Sequence, residues 1–193
     1  MKILNGIAWG FAFSILFGAL LVPVSFAAKG SGEKCYTKVN IWYEKPEKIL
    51  TTNYHKGAML SVGSPVEILK RKNNEIQFRD LKTGTGFQLV QVKKYMNIAP
   101  DELFARYFSK DSVLEGAGYA RLTQMEKENI RVGSLAVGMS REAAIMAYGY
   151  PPTHRTPTLE AASWTYWKSR FVDFQIQFDD KGKVAFIEKS DGG

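Results

Sequence analysis

Apolar and polar residues follow one another in two different rhythms along this chain, and the rhythm changes near residue 98. From Cys35 to Ile98 short apolar runs are punctuated by turn residues with no stripe at helical spacing, so the segment reads as β-structure. Val39, Ile41 and Tyr43 mark a strand over residues 37–43; Val66, Ile68 and Leu69 mark a second, Ile76 and Phe78 a third, and Phe87, Leu89 and Val92 a fourth. Asn73-Asn74 and Lys82-Thr83-Gly84-Thr85-Gly86 supply joining turns. Roughly five short strands in so short a stretch predict a small barrel, because closing the sheet removes its exposed edges.

Beyond Ile98 the spacing becomes helical. Pro100 and Asp101 open a helix with Leu103, Phe104, Tyr107 and Phe108 on one face. After a break at Gly116-Ala117-Gly118, Thr123 and Glu126 have capping-box spacing and start a short helix expected to end near Asn129. Ser140 is placed to cap a further helix with Glu142 in its first turn, an apolar face of Ala144, Ile145 and Tyr148, and Gly149 and Pro151 at its end. Three strands follow over residues 163–168, 172–179 and 183–188. In the middle one Phe174, Ile176 and Phe178 alternate with polar residues, which predicts one buried and one wet face. Asp180-Lys181-Gly182 forms the last hairpin turn.

The N-terminus changes where this fold is expected to work. Lys2, an apolar run from Ile3 to Val24, and the small residues Ser25, Ala27 and Ala28 have the three-part plan of a secretory signal, predicting a signal peptide over residues 1–27. The alternative is an uncleaved inner-membrane anchor, since the run approaches the ~20 residues that span a bilayer. Either reading places the rest outside the cytoplasm, in the periplasm or at the outer membrane. There a formal net charge of +7 suits an anionic envelope polymer, a lipid headgroup or an acidic protein face, and nucleic acid is not an expected partner.

Little in the sequence points to catalysis. Only His55 and His154 are available as imidazole bases, and no G-x-S-x-G or H-E-x-x-H motif is present. No cofactor or metal site is expected. Cys35, the only cysteine, lies on a stretch read as the disordered front of the mature chain; it is expected to be neither catalytic nor lipidated but a buried or merely tolerated thiol, with a bridge to a partner as the alternative, and no internal disulfide can form. The unusual cluster is Tyr150, Pro151, Pro152, His154 and Arg155, with Trp167 on the following strand; rigid prolines, aromatics and arginine are the residue types that dominate binding hot spots. Trp164 and Tyr166, on the opposite face of that strand from Trp167, are expected to be core.

Two resemblances sharpen this picture. The stretch from Lys56 to Ile68, with Gly63-Ser64-Pro65-Val66-Glu67-Ile68 at its end, resembles a bacterial SH3-like domain. Gly138-Met139-Ser140, Gly149-Tyr150-Pro151, Trp164-Thr165-Tyr166 and Phe178-Asp179-Asp180-Lys181-Gly182-Lys183-Val184 occur in the order found in the SmpA/OmlA (BamE-like) family. That family includes the small lipoprotein subunit of the outer-membrane β-barrel assembly machine, and protein inhibitors of β-lactamase have similar folds. The resemblance implies an α+β protein with an SH3-like β-barrel domain over residues 35–98, a helical linker over 99–119, and an SmpA/OmlA-like two-helix, three-stranded domain over 120–190. It implies a non-catalytic envelope adaptor that binds a protein partner, with a peptidoglycan-binding module or an inhibitor of a secreted enzyme as alternatives.

Overall fold

In the computed structural model, residues 32–52, 54–169 and 171–188 are described; the expected signal segment lies outside them. The first half is β-rich, as its turn-punctuated pattern requires. Strands β1 (Glu33–Thr37), β2 (Ile41–Tyr43), β3 (Ile49–Leu50), β4 (Ala58–Leu60), β5 (Pro65–Lys72), β6 (Glu75–Asp80) and β7 (Gly86–Val90) precede the first helix. Five of them, with a later strand β8 (Phe108–Ser109), form a curled six-stranded sheet in the order β3-β7-β6-β5-β1-β8, while β2 and β4 make a separate ribbon. The edge strands β3 and β8 have only two residues each, which leaves few unpaired backbone groups for intermolecular pairing. Between β6 and β7, the Asp80 carboxylate accepts from the amides of Lys82 and Thr83, and Gly84 takes φ +74°, so the turn forms where the sequence places it.

The single strand expected over residues 37–43 is interrupted. β1 ends at Thr37 and β2 begins at Ile41, in different sheets, because the backbone of the intervening residues bonds elsewhere. The Lys38 amide donates to the Tyr107 carbonyl at 2.8 Å and the Asn40 amide to the Met146 carbonyl at 3.0 Å. Cys35 lies on an ordered strand, not on a disordered front: it is a core residue of β1, 1% exposed and paired with Val66, as expected of a buried lone thiol.

Helix α1 (Pro100–Tyr107) has Pro at its first turn and Asp101 and Glu102 near its positive end. Leu103 and Tyr107 are buried as the spacing predicts, but Phe108 leaves the helix. It turns extended at φ −134° and ψ 151°, pairs with Thr37, and sets its ring edge-on to Phe78 at 5.0 Å. A sheet partner and an aromatic contact outcompete one further helical position. The expected break around Gly116 carries a 3₁₀ turn (Val113–Glu115) and one helical turn, α2 (Ala117–Ala120).

Helix α3 (Gln124–Val132) starts on the reciprocal Thr123–Glu126 capping box and runs past Asn129 until Gly133 caps it at φ 70° and ψ 38°. Helix α4 (Arg141–Tyr148) starts on Ser140, whose hydroxyl accepts from the Ala143 amide. Its buried residues are Ala143, Ala144, Met146 and Ala147, while Ile145 and Tyr148 are only half-buried. The apolar face is broader than its spacing predicts because α4 is covered on two sides. Strands β9 (Ser163–Trp167), β10 (Asp173–Phe178) and β11 (Val184–Ile187) form the antiparallel meander β11-β10-β9, with Trp164, Tyr166, Phe174, Ile176 and Phe178 facing inward.

Two hydrophobic clusters result, one per half, and residues cross between them: Val62 is buried in the second cluster, and Tyr150 packs against the first. Asn40 joins the halves with a buried polar contact. Its amide nitrogen donates to the carbonyls of Ile130 at 2.6 Å and Ala147 at 3.1 Å, near the ends of α3 and α4, and its oxygen accepts from the Val62 amide at 2.8 Å. The Ala147 carbonyl lies where a helix end leaves acceptors unsatisfied, and the Ile130 carbonyl, which also accepts from the Gly133 amide, takes a second donor, so one side chain fixes both helix ends to the first half.

Glu126 ties the second half together. Buried beneath the start of α4, it accepts from the Thr123 amide at 2.9 Å, the Ser140 amide at 2.7 Å and the Lys183 ammonium at 3.0 Å. Burial pushes its pKa upward, but the hydrogen bonds from Thr123, Ser140 and Lys183 outweigh that and hold it down at about 2.

Candidate functional site

The loop from Tyr150 to Pro157 is built by what surrounds it. Gly149 ends α4 with φ +86°, and Pro151 and Pro152, both buried, carry the chain across the seam between the halves. At the far side Thr156 is buried, and its hydroxyl accepts from the Thr165 amide on the outer edge of β9 at 3.0 Å, so the loop also covers a sheet edge. Tyr150 is half-buried against the first core, with the Arg106 guanidinium 4.8 Å from its ring centre.

Between those fixed ends His154 and Arg155 are exposed. The His154 amide donates to the Tyr95 carbonyl at 3.2 Å, and the Thr153 hydroxyl lies 3.4 Å from the same oxygen. The His154 ring stacks on Trp167 with centroids 6.1 Å apart and planes at 17°, and Tyr95 leans on both rings. Trp167 is therefore half-buried, part support and part surface. Arg155 pairs with Asp173 at 2.6 Å, leaving a guanidinium that is held in place and still half exposed. Trp164 and Tyr166 are core, as expected, and the Tyr166 hydroxyl donates to the Gly149 carbonyl at 2.9 Å.

Sequence spacing does not reveal that this loop meets Tyr95 of the first half, which follows Lys93 and Lys94. The two lysines are exposed, and the Lys94 ammonium lies 5.2 Å from the Tyr95 ring centre. Adjacent Lys-Lys-Tyr is a weak signal by itself. Its meaning comes from a carbonyl contact 58 residues away.

Behind this surface a narrow cleft follows the seam, with a cavity of about 50 Å³. Trp42, His55, Tyr107, Tyr148, Tyr166 and Trp167 form its aromatic walls, and no charged residue lines it. His55 stacks on Tyr148 with ring centroids 3.3 Å apart and meets Trp42 edge-on at 5.5 Å. Its Nε2 lies 3.0 Å from the Tyr148 carbonyl, which can only accept, so Nε2 carries the hydrogen. Nδ1 is buried without a hydrogen-bond partner, as is the Trp167 indole nitrogen. Burial pushes the His55 pKa down to about 4 against the opposing effect of the Tyr148 carbonyl, so the ring is neutral at pH 7.

Burial pushes the Cys35 thiol pKa up and withholds its thiolate, the nucleophilic form. Asp179 is a turn residue that accepts from the amides of Lys181 and Lys183. Among the described residues no three His, Cys, Asp or Glu side chains converge on a metal position, and no helix is long and apolar enough to cross a membrane. No protein family, no curated protein and no solved structure matches this chain, so the composite surface and the seam beneath it are the basis for any assignment of function.

Proposed function

We propose that the protein is a non-catalytic binding module of the cell envelope, exported by its N-terminal signal, that engages a protein partner through the composite surface around His154, Arg155 and Trp167. The observation that carries this reading is the surface's construction. Exposed cationic and aromatic groups are held by buried prolines, the Arg155–Asp173 pair and backbone bonds to Tyr95, so contact with a partner orders little that is loose beforehand. Arginine and tryptophan at the centre of such a patch are the residue types with the largest truncation effects at interfaces.

The SmpA/OmlA resemblance of the second half supports an adaptor near the outer membrane, and two helices followed by a three-stranded meander are the arrangement it implies. The SH3-like reading of the curled first half keeps peptidoglycan binding as the rival. Site-specific photocrosslinking from position 154 in the full-length exported chain separates the two. Protein binding predicts a discrete envelope-protein adduct that Arg155→Ala weakens about 10-fold or more. Recovery of the chain with purified sacculi, unaffected by Arg155→Ala, would move the function to the first half.

A further inference from the structure

We propose that His55 is an acid-sensitive latch across the seam: protonating the half-buried ring at its enclosed Nδ1 releases residues 54–57 from the end of α4 and opens the aromatic cleft between the two halves. His55 belongs to the connection between β3 and β4, and all its described contacts to the second half go to one residue, Tyr148 in the last turn of α4. The latch therefore consists of one ring stack and one hydrogen bond.

Protonation leaves Nε2–H donating to Tyr148 but adds a second N–H at Nδ1, a buried atom with no partner. A buried charged donor without an acceptor is costly, and opening the latch hydrates it. Among the described residues no charged side chain lines the cleft to offset that charge. From β2 comes Trp42, from α4 Tyr148, from α1 Tyr107, and from β9 Tyr166 and Trp167. Burial holds the phenols of Tyr107, Tyr148 and Tyr166 protonated. The charged residues of these elements lie away from the cleft lining: Glu44 and Lys45 beyond β2, Lys56 exposed beside the ring, Arg106 over Tyr150, and Arg141 and Glu142 at the opposite end of α4. The C-terminal end of α4 favours a cation, but burial outweighs it, as the downward shift to about 4 records.

The sign follows from that depression. The open state takes up protons below the ordinary histidine value of 6.5 and the closed state only near 4, so the latch is fully closed above pH 6.5 and weakens as pH falls. Opening should rise roughly 20-fold between pH 7 and pH 5, and level off below pH 4. The other contacts across the seam, through Asn40 and Tyr95, use amides, carbonyls and an exposed imidazole, so local opening precedes separation of the halves.

The test is amide hydrogen exchange of residues 54–57 and of Gly149, whose amide bonds the Ile145 carbonyl, between pH 7.5 and pH 4.5, corrected for intrinsic exchange. The expected result is an opening constant that rises roughly 70-fold over that wider range in the natural sequence and stays flat in His55→Gln, which keeps a donor for Tyr148 and cannot titrate. In parallel, the His55 ring is followed by nitrogen NMR in a His154→Gln background. A ring that titrates near 6.5 while Gly149 stays protected overturns the proposal, as does equal acid opening in His55→Gln. Should that variant fail to fold, the ring titration in the His154→Gln background still decides.

Discussion

Asn40→Ala should be among the most damaging single substitutions in the described structure. It removes the donor to Ile130 and Ala147 and the acceptor from Val62 at a position 4% exposed, stranding the Ala147 carbonyl and the Val62 amide in the seam, while the Ile130 carbonyl keeps the Gly133 amide. A buried polar group left without its partner costs about 1–3 kcal/mol. Two such groups give a ceiling of about 6 kcal/mol, but water entering the space left by the side chain lowers it, so we expect about 2–4 kcal/mol. Against a typical stability of about 5–15 kcal/mol this is large, and it is focused on the contact between halves. Urea denaturation followed by tryptophan fluorescence, with exchange of amides in α3 and α4 as a second probe, measures it. Asn40→Asp is the control: it keeps size and the acceptor for Val62, but turns a carboxylate toward two carbonyl oxygens. It should be at least as destabilising at pH 7 and recover partly as acid protonates the new side chain. A loss below about 1 kcal/mol for Asn40→Ala, with unchanged exchange in both helices, would refute the reasoning, because the seam would then rest on apolar contacts alone.

Three further outcomes follow from particular residues. Glu126 has its pKa depressed from 4.5 to about 2, so its contribution of up to about 3 kcal/mol should be complete above pH 4.5 and disappear as pH falls toward 2; Glu126→Gln should flatten that part of the stability–pH curve. Gly149→Ala should lower stability by about 1 kcal/mol or more in thermal melts, because φ +86° disfavours a Cβ even though no atom lies within 4 Å of it; an unchanged midpoint would show that the backbone relaxes. Cys35 should resist iodoacetamide in the native protein and react on unfolding in urea; fast native alkylation would place the thiol outside the core.

The sequence by itself determined the features whose causes lie within a few residues. The Thr123–Glu126 box, the Ser140 cap, the positive φ of Gly149 and the alternation of Phe174, Ile176 and Phe178 each need only their own turn or strand, and each stands where the pattern placed it. The loop cluster around Arg155 was visible as residue types, because prolines, aromatics and arginine announce themselves without a partner. Tertiary structure decided what those residues meet. Asn40 looked like a strand residue and became a hinge pin, since its acceptors lie 90 and 107 residues away. Phe108 left its helix for a sheet whose partner is Thr37, and Cys35, read as part of a disordered front, was drawn into the core opposite Val66. His55, in a polar stretch without periodicity, became a half-buried neutral ring through a carbonyl 93 residues on. Periodicity reports which face of an element avoids water, but it carries no record of which distant element covers that face; that choice is made by packing, when two halves bury their remaining surface against each other.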